Sequence, residues 1–222
     1  MNLALFLTAI IISTSYSGNQ LDTTTENSGF FIKSDKDVLL KIPYTHQIDD
    51  LNEESKSLIR NTACGPASVT MALKHLNEYK TLNEVIDSLP ETVYVKGDRF
   101  YNLYDAAKFF NKKTNKFKNS YSNIFSVLNE GHPVILNIQN YDNITGHAIV
   151  IVGMKDYENG KAKSLIAHDP YRGPYREFVY LDEDTLLQPE GNTNYIGILD
   201  PFYITDKENN ENLHLSFKTS PY

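Results

Sequence analysis

The sequence of 222 residues predicts an α+β protein, with helices in the first half of the chain and a mainly antiparallel β-sheet in the second half. Two patterns support this prediction. Between residues 64 and 129 apolar side chains recur at helical spacing, whereas after Gly131 short segments rich in Val, Ile and Tyr follow one another. The strands do not alternate with helices, which argues against a parallel sheet. The length suits one hydrophobic core, so we expect a single domain over residues 37–222.

The clearest predicted helix covers residues 64–77. Its apolar residues recur at i, i+3, i+4 and i+7, and Pro66 occupies the first turn, where a missing N–H leaves no bond unmade. A shorter helix is expected over residues 81–89, because Thr81 and Glu84 have the spacing of a capping box. Two further helices are predicted over residues 103–110 and 122–129.

Five segments of the second half are predicted to be strands, since they are short and rich in β-branched and aromatic residues. They cover residues 133–138, 147–153, 164–168, 176–180 and 195–199. An extended segment is also expected over residues 38–44, and an alternating pattern at residues 213–217 is compatible with an edge strand. The basic stretch over residues 112–118 is interpreted as a solvated loop or helix end.

The N-terminus has the composition of a secretory signal peptide. Residues 3–12 form an apolar run that is too short to span a membrane comfortably, and small and polar residues follow it. We therefore expect a signal peptide over residues 1–17, a flexible leader over residues 18–36, and a secreted or extracytoplasmic protein without a stable membrane span. A short membrane anchor and a buried N-terminal element are the alternatives, because no Lys or Arg precedes the run.

Charge and cysteine content exclude several classes of protein. The net charge of -7 and the pI near 5.4 argue against a nucleic-acid partner, because phosphate binding requires clustered Lys and Arg side chains. A single cysteine forms no intramolecular disulfide and builds no cysteine-rich zinc site. In an exported protein an unpaired thiol is a liability, which favours a thiol with a chemical role.

Cys64, the single cysteine, stands where a reactive thiol would be placed. It lies at the start of the predicted 64–77 helix, where unpaired backbone N–H groups and the positive end of the helix dipole stabilise a thiolate. Gly65 allows a close approach of the backbone, and Pro66 directs the chain into the helix. A buried structural cysteine is the alternative. We interpret Cys64 as a candidate nucleophile.

A cysteine nucleophile requires a base, and the base requires an orienting group. His147 follows Gly146 and opens the strongest predicted strand, so its side chain is expected to project into a cleft; a hydrogen-bonded structural histidine is the alternative. Strand alternation lets only one of His168 and Asp169 face a given site. We choose Asp169 as the acceptor of the imidazole N–H, although Asp-Pro pairs also start turns. Asp200 is the second candidate.

Gln47 follows the extended 38–44 segment and is a candidate oxyanion donor. Its side-chain amide, together with the backbone N–H of Cys64, could donate to the negative oxygen that develops when a thiolate attacks a carbonyl. Taken alone, a glutamine in this position is more often a surface residue.

Five blocks, in order along the chain, resemble those of one family. The blocks are Pro-Tyr-Thr-His-Gln (residues 43–47), Cys-Gly-Pro-Ala-Ser (64–68), Gly-His-Pro-Val-Ile (131–135), Gly-His-Ala-Ile-Val-Ile-Val-Gly (146–153) and Asp-Pro-Tyr (169–171). Over residues 38–200 they resemble the bacteriocin-processing-peptidase-like branch of the papain-fold cysteine proteases. The resemblance implies a papain-like fold, with an N-terminal helical lobe that carries the nucleophile helix and a C-terminal sheet lobe that carries the base.

The same resemblance implies a role for each candidate residue: Cys64 as the nucleophile, His147 as base and acid, Asp169 as the orienting group and Gln47 as the oxyanion donor, with no metal or cofactor. It further implies a thiol hydrolase that forms an acyl-enzyme on a peptide or protein substrate. An acyltransferase or amide-crosslinking enzyme that uses the same thioester, and a binding module with an inherited cleft, are the alternatives. The Gly-Gly cleavage site of transporter-linked members is not carried over, because this chain has the features of an exported protein.

Overall fold

The computed structural model describes residues 29–90, 103–139, 146–182, 185–187, 193–196 and 201–207. Within these residues the α-helices precede residue 130, most strands follow it, and every strand pairing is antiparallel. The predicted α+β class is confirmed. The expected signal peptide, the second candidate Asp200 and the segment at residues 213–217 lie outside the described residues.

Three of the four described α-helices lie where the sequence predicted helices, and the first of the four was not predicted. They are α1 (Glu53–Ile59), α2 (Cys64–His75), α3 (Leu82–Ser88) and α4 (Tyr121–Asn129). At α3 the capping box is present, since the Thr81 hydroxyl accepts from the Glu84 N–H and the Glu84 carboxylate accepts from the Thr81 N–H. Ser120 caps α4 by accepting from the Asn123 N–H, and Gly131 follows its end at φ +92°. None of the described helices is long and apolar enough to cross a membrane.

The helix predicted over residues 103–110 is only partly regular. The described residues contain a 3₁₀ helix over Ala106–Phe110. Asp105, which precedes it, forms no side-chain cap bond, and Asn111, which follows it, is left-handed at φ 55°. A segment without an N-terminal cap that stops at a left-handed residue is short, and short segments favour the tighter 3₁₀ turn.

Ten strands of the described residues form one sheet. They are β1 (Phe30–Lys33), β2 (Val38–Leu40), β3 (Lys112–Lys116), β4 (Val134–Gln139), β5 (His147–Lys155), β6 (Ser164–Asp169), β7 (Gly173–Asp182), β8 (Thr185–Leu187), β9 (Thr193–Ile196) and β10 (Phe202–Asp206). The neighbours follow the order β1, β2, β5, β6, β7, β8, β9, β4, β10, β3, and β4 also pairs with β5. The strands from β5 to β9, together with β4, therefore curl into a ring.

Strand β1 lies in the stretch where the sequence predicted a flexible leader. Phe30 pairs with Leu40 of β2 and packs against the hydrophobic core. The leader prediction is corrected for Phe30–Lys33, because the apolar side chains of this short segment add an edge strand to the sheet.

Strand β3 lies in the basic stretch that was interpreted as a loop or helix end, and all of Lys112–Lys116 pairs with β10. Lys112 is mostly buried, and its Nζ lies 2.6 Å from Asp206 Oδ1 and 3.1 Å from Glu78 Oε1. Carboxylates from two distant parts of the chain thus compensate the charge of this lysine. The interpretation failed because neither partner is local in sequence.

Helix α2 packs against β5, and this contact decides where the candidate site lies. The helix is buried from Gly65 to Leu73, and β5 is buried along its length except at Lys155. Both elements begin with a candidate residue, since Cys64 opens α2 and His147 opens β5. The packing of a buried helix on a buried strand brings these two N-terminal ends together.

Candidate active site

Cys64 is the first residue of α2 and remains partly exposed. The N-cap residue Ala63 has no side chain that could cap the helix, so the first-turn N–H groups are left to other acceptors. The Gly65 N–H donates to the Cys64 sulfur. A Cβ at residue 65 would lie 3.3 Å from Leu103 Cδ1, so glycine also keeps this turn free of crowding. The predicted placement at a helix start is therefore observed.

His147 is the first residue of β5 and is almost completely buried. Gly146 precedes it at φ +79°, a left-handed conformation that glycine adopts readily. The ring of His147 is hydrogen-bonded to the Cys64 thiol, and the N–H of the next residue, Ala148, also donates to that sulfur. The start of β5 thus supplies two groups that contact the thiol.

Asp169 is the last residue of β6 and is fully buried. Its Oδ1 lies 2.8 Å from His147 Nε2. The same oxygen accepts from the N–H groups of Tyr171, at 2.9 Å, and Arg172, at 3.1 Å. An oxygen that accepts from three donors is best satisfied as a carboxylate, so His147 carries a proton on Nε2 and its Nδ1 is left to face the thiol.

His168 faces away from this group, as strand alternation predicted. Its Nδ1 accepts from the Tyr175 N–H at 3.1 Å, so its Nε2 is protonated and donates to the Ile42 carbonyl at 2.9 Å. Burial lowers the pKa of His168. His168 is therefore a neutral histidine that joins β6 to the chain after β2.

The pKa values of Cys64 and His147 both shift in the direction opposite to the one that burial alone would give. Burial alone raises the pKa of the Cys64 thiol, but its hydrogen bond with His147 and the charge of that ring outweigh burial and lower this pKa. The N–H groups of Ala148 and Gly65 lower it further. Burial alone lowers the pKa of His147, yet its hydrogen bonds with Asp169 and Cys64 and their negative charges raise it to about 10. The arrangement favours a thiolate beside an imidazolium.

Gln47 is buried rather than exposed. Its backbone N–H donates to the Pro170 carbonyl at 2.8 Å, and its side-chain Nε2 donates to the Arg60 carbonyl at 2.9 Å. An amide nitrogen has two hydrogens, so one donor of Gln47 is left after the bond to Arg60. Among the described residues its Oε1 has no hydrogen-bond partner. Gln47 thus joins the turn after Asp169 to the loop before Cys64, and the oxyanion role stays a prediction.

Two residues beside the site had no role in the sequence-based interpretation. The Tyr44 hydroxyl donates to the Asp169 carbonyl at 2.8 Å, and His46 Nε2 lies 3.2 Å from the Tyr171 carbonyl. The only sequence signal was their position in the same block as Gln47, since nothing local links them to residues 169–171. Among the described residues, no group of three or more His, Cys, Asp and Glu side chains is arranged to hold a metal ion.

Comparison with known proteins gives one family. Residues 39–183 of the 222 match the Peptidase_C39 like family. Sixteen chains of solved structures also match. One of them is the crystal structure of a double glycine motif protease from an AMS/PCAT transporter in complex with the leader peptide, with 19% sequence identity, a TM-score of 0.40, and coverage of 74% of this chain and 93% of that chain. A comparison with curated proteins gives no match.

The family match covers more than half of the chain and includes all four candidate residues. It confirms the resemblance that the five ordered sequence blocks indicated, and the helices and the curled antiparallel sheet agree with it. The chain belongs to the Peptidase_C39 like family, and it is a cysteine peptidase-like hydrolase with a papain-like α+β fold.

Proposed function

We propose that the protein is a secreted cysteine peptidase that hydrolyses an amide bond of a peptide or protein through a triad of Cys64, His147 and Asp169. One observation carries the proposal. The buried His147 ring is hydrogen-bonded to Asp169 Oδ1 at 2.8 Å through Nε2, and the same ring is hydrogen-bonded to the Cys64 thiol. A nucleophile, a base and an orienting carboxylate in this sequence of contacts form the arrangement that activates a thiol for acyl transfer.

The first half of the proposed reaction forms an acyl-enzyme. The Cys64 thiolate attacks the carbonyl carbon of the substrate amide, and the electron pair of the carbonyl moves onto its oxygen. When the tetrahedral intermediate collapses, the C–N bond breaks and His147 Nδ1–H protonates the leaving amine. The imidazolium is suited to this step because Asp169 stabilises its charge. The products are a free amine and a thioester on Cys64.

The second half restores the enzyme. Neutral His147 takes a proton from water at Nδ1 while the water oxygen attacks the thioester carbonyl. Collapse of this second intermediate breaks the C–S bond, releases the carboxylic acid and returns the Cys64 thiolate beside the imidazolium. No proton or electron is left over, so the cycle requires only substrate and water.

In both halves we assign stabilisation of the oxyanion to Gln47 and the Cys64 backbone N–H. The bond from Gln47 Nε2 to the Arg60 carbonyl fixes the plane of the amide, and its second hydrogen is the proposed donor. A donor that is already oriented stabilises the developing charge without reorganisation. The placement of Cys64 at the first position of α2 supports the role of its N–H.

The test of this proposal compares the intact protein with its Cys64→Ala variant on a complex peptide mixture. Sequencing of new peptide termini is expected to find cleavage products with the intact protein and none with the variant. The Ser68→Ala protein serves as the control, because Ser68 also lies on α2 but its hydroxyl only donates to the Cys64 carbonyl. Equal sets of products from the intact protein and Cys64→Ala would overturn the proposal.

Addition of a primary amine to the same reaction distinguishes hydrolysis from acyl transfer. A hydrolase gives new carboxylic acids even when the amine is present, whereas an acyltransferase gives new amides that carry the added amine. Secretion is tested separately by expression of the full chain and sequencing of the N-terminus of the exported protein. The proposal expects the mature chain to begin near residue 18, and retention of residues 1–17 would contradict it.

A further inference from the structure

Residues 44–47 are joined to residues 169–171 by a row of hydrogen bonds. Three successive carbonyls accept from this segment: Asp169 from the Tyr44 hydroxyl at 2.8 Å, Pro170 from the Gln47 N–H at 2.8 Å, and Tyr171 from His46 Nε2 at 3.2 Å. In the Tyr44 and His46 contacts the two partners are 125 residues apart in the chain. Side chains supply two of the three donors, so these contacts depend on which residues occupy positions 44 and 46.

The turn at residues 169–171 sets the position of the Asp169 carboxylate. Two of the donors to Oδ1 are the backbone N–H groups of Tyr171 and Arg172, which belong to this turn. The third donor is His147 Nε2. A displacement of the turn therefore moves the carboxylate relative to the imidazole, and the turn is held by residues 44–47.

We propose that Tyr44 and His46 are positioning residues, which clamp the 169–171 turn so that the Asp169 carboxylate stays against His147. The inference rests on the proposed function, since it concerns the activation of Cys64 by His147. Neither side chain is assigned contact with substrate. Both act through the main chain of the turn and, beyond it, through Asp169.

Both side chains have a hydrogen on the atom from which the contacts require donation. Burial raises the pKa of Tyr44, and the negative charge of Asp169 raises it further, so the hydroxyl keeps its proton. His46 Nδ1 accepts from the N–H groups of Ile48, at 3.2 Å, and Asp49, at 2.9 Å. These contacts select the tautomer of His46 that carries its proton on Nε2, where it donates to the Tyr171 carbonyl.

The same segment ends at the proposed oxyanion donor. The N–H of Gln47 binds the Pro170 carbonyl, and its side chain binds the loop before Cys64. Residues 44–47 consequently tie the orienting carboxylate, the oxyanion donor and the approach to the nucleophile into one unit. This arrangement explains why two polar side chains next to Gln47 point at carbonyl oxygens rather than at water.

The test uses Tyr44→Phe and His46→Asn. Tyr44→Phe removes the hydroxyl and keeps the ring that packs edge-on against His168. His46→Asn keeps an acceptor for the Ile48 and Asp49 N–H groups and removes the donor to Tyr171. Cys64 is the only cysteine, so its alkylation by iodoacetamide at a series of pH values reports the thiolate directly and requires no substrate.

The rate of Cys64 alkylation, plotted against pH, has a midpoint at the pKa of the thiol. In each variant we expect this midpoint to move to higher pH, because a displaced Asp169 stabilises the imidazolium less. At a pH below the midpoint the rate is expected to fall roughly threefold to tenfold, the effect of one lost hydrogen bond. In the Asp169→Asn background the same substitutions are expected to leave the midpoint unchanged, because there the clamped carboxylate is gone.

Two controls separate positioning from general stability. Tyr79→Phe removes an exposed hydroxyl that donates to Asn77, and Thr114→Val removes a donor to the Tyr104 carbonyl. Neither is expected to move the midpoint. A Tyr44→Phe or His46→Asn protein that melts at a lower temperature but keeps the wild-type midpoint would overturn the inference. If the wild-type protein itself reacts as an ordinary thiol with a pKa of about 8.5, the proposed function fails first.

Discussion

His147 Nε2 lies 2.8 Å from Asp169 Oδ1, and the two side chains are 2% and 0% exposed. A single charge buried away from water is unfavourable, so the His147 imidazolium and the Asp169 carboxylate stabilise each other. The pair also leaves only one ring nitrogen of His147 for the Cys64 thiol. The protonation state of the nucleophile is therefore coupled to the Asp169 carboxylate through His147.

Asp169→Asn is expected to lower kcat/KM for a cleaved peptide by at least about 100-fold, since the wrong tautomer of His147 becomes favoured. The measurement is steady-state cleavage of a peptide identified from the new termini. Asp206→Asn is the matched control, because that carboxylate contacts Lys112 and not His147. Equal losses in both variants would show that Asp169 contributes only to the stability of the fold.

The pH dependence of kcat/KM is expected to have a broad plateau. The active thiolate and imidazolium pair forms as pH rises through the lowered pKa of Cys64, and it is lost as pH rises through the pKa of His147, which is raised to about 10. Activity should therefore be present well below pH 8.5, the ordinary pKa of a thiol. A rate that climbs only near that value would contradict the ion pair.

Gln47→Ala separates the oxyanion role from thiol activation. Loss of an oxyanion donor is expected to reduce kcat by about 100- to 1000-fold. The alkylation of Cys64 by iodoacetamide forms no oxyanion, so its pH midpoint should not change. Gln139→Ala, at an exposed position at the end of β4, is the control. A Gln47→Ala protein with normal kcat would remove Gln47 from the site.

Gly153→Ala is expected to destabilise the fold. A Cβ at this position would lie 2.6 Å from the Val38 carbonyl oxygen and 2.9 Å from Leu39 Cδ1, so β2 and β5 would have to separate. We expect a loss of about 1–3 kcal/mol in the free energy of unfolding, measured with urea. Gly29→Ala, where the nearest atom lies 3.9 Å away, should change it little. Equal stabilities would show that the strands adjust without cost.

Much of the site could be predicted because its signals are local. The start of α2 at Cys64 follows from the apolar spacing and Pro66, within a few residues of each other. Strand alternation predicted that only one of His168 and Asp169 faces the site, and the structure directs these two side chains to different partners. The choice of Asp169 came from the need for a carboxylate that accepts the imidazole N–H. The expected signal peptide stays a prediction.

The remaining features depend on residues that are far apart in the chain. In strand β3, Lys112 forms ion pairs with Glu78 and Asp206. No local sequence pattern predicts that either carboxylate lies next to this lysine. Strand β1 forms because Phe30 pairs with β2 and packs against the hydrophobic core. Both segments are short edge strands, whose identity is decided by pairing and burial more than by intrinsic preference.

By itself, the sequence determined the α+β class, the helix that begins at Cys64 and the residue types able to form a cysteine, histidine and aspartate site. Only the tertiary structure decided that Tyr44 and His46 hold the turn after Asp169, and that the ring of strands closes between β4 and β5. The physical reason is the distance along the chain over which each interaction acts. Helix caps and side-chain alternation act between near neighbours, whereas burial and the hydrogen bonds across the site exist only after distant segments have packed together.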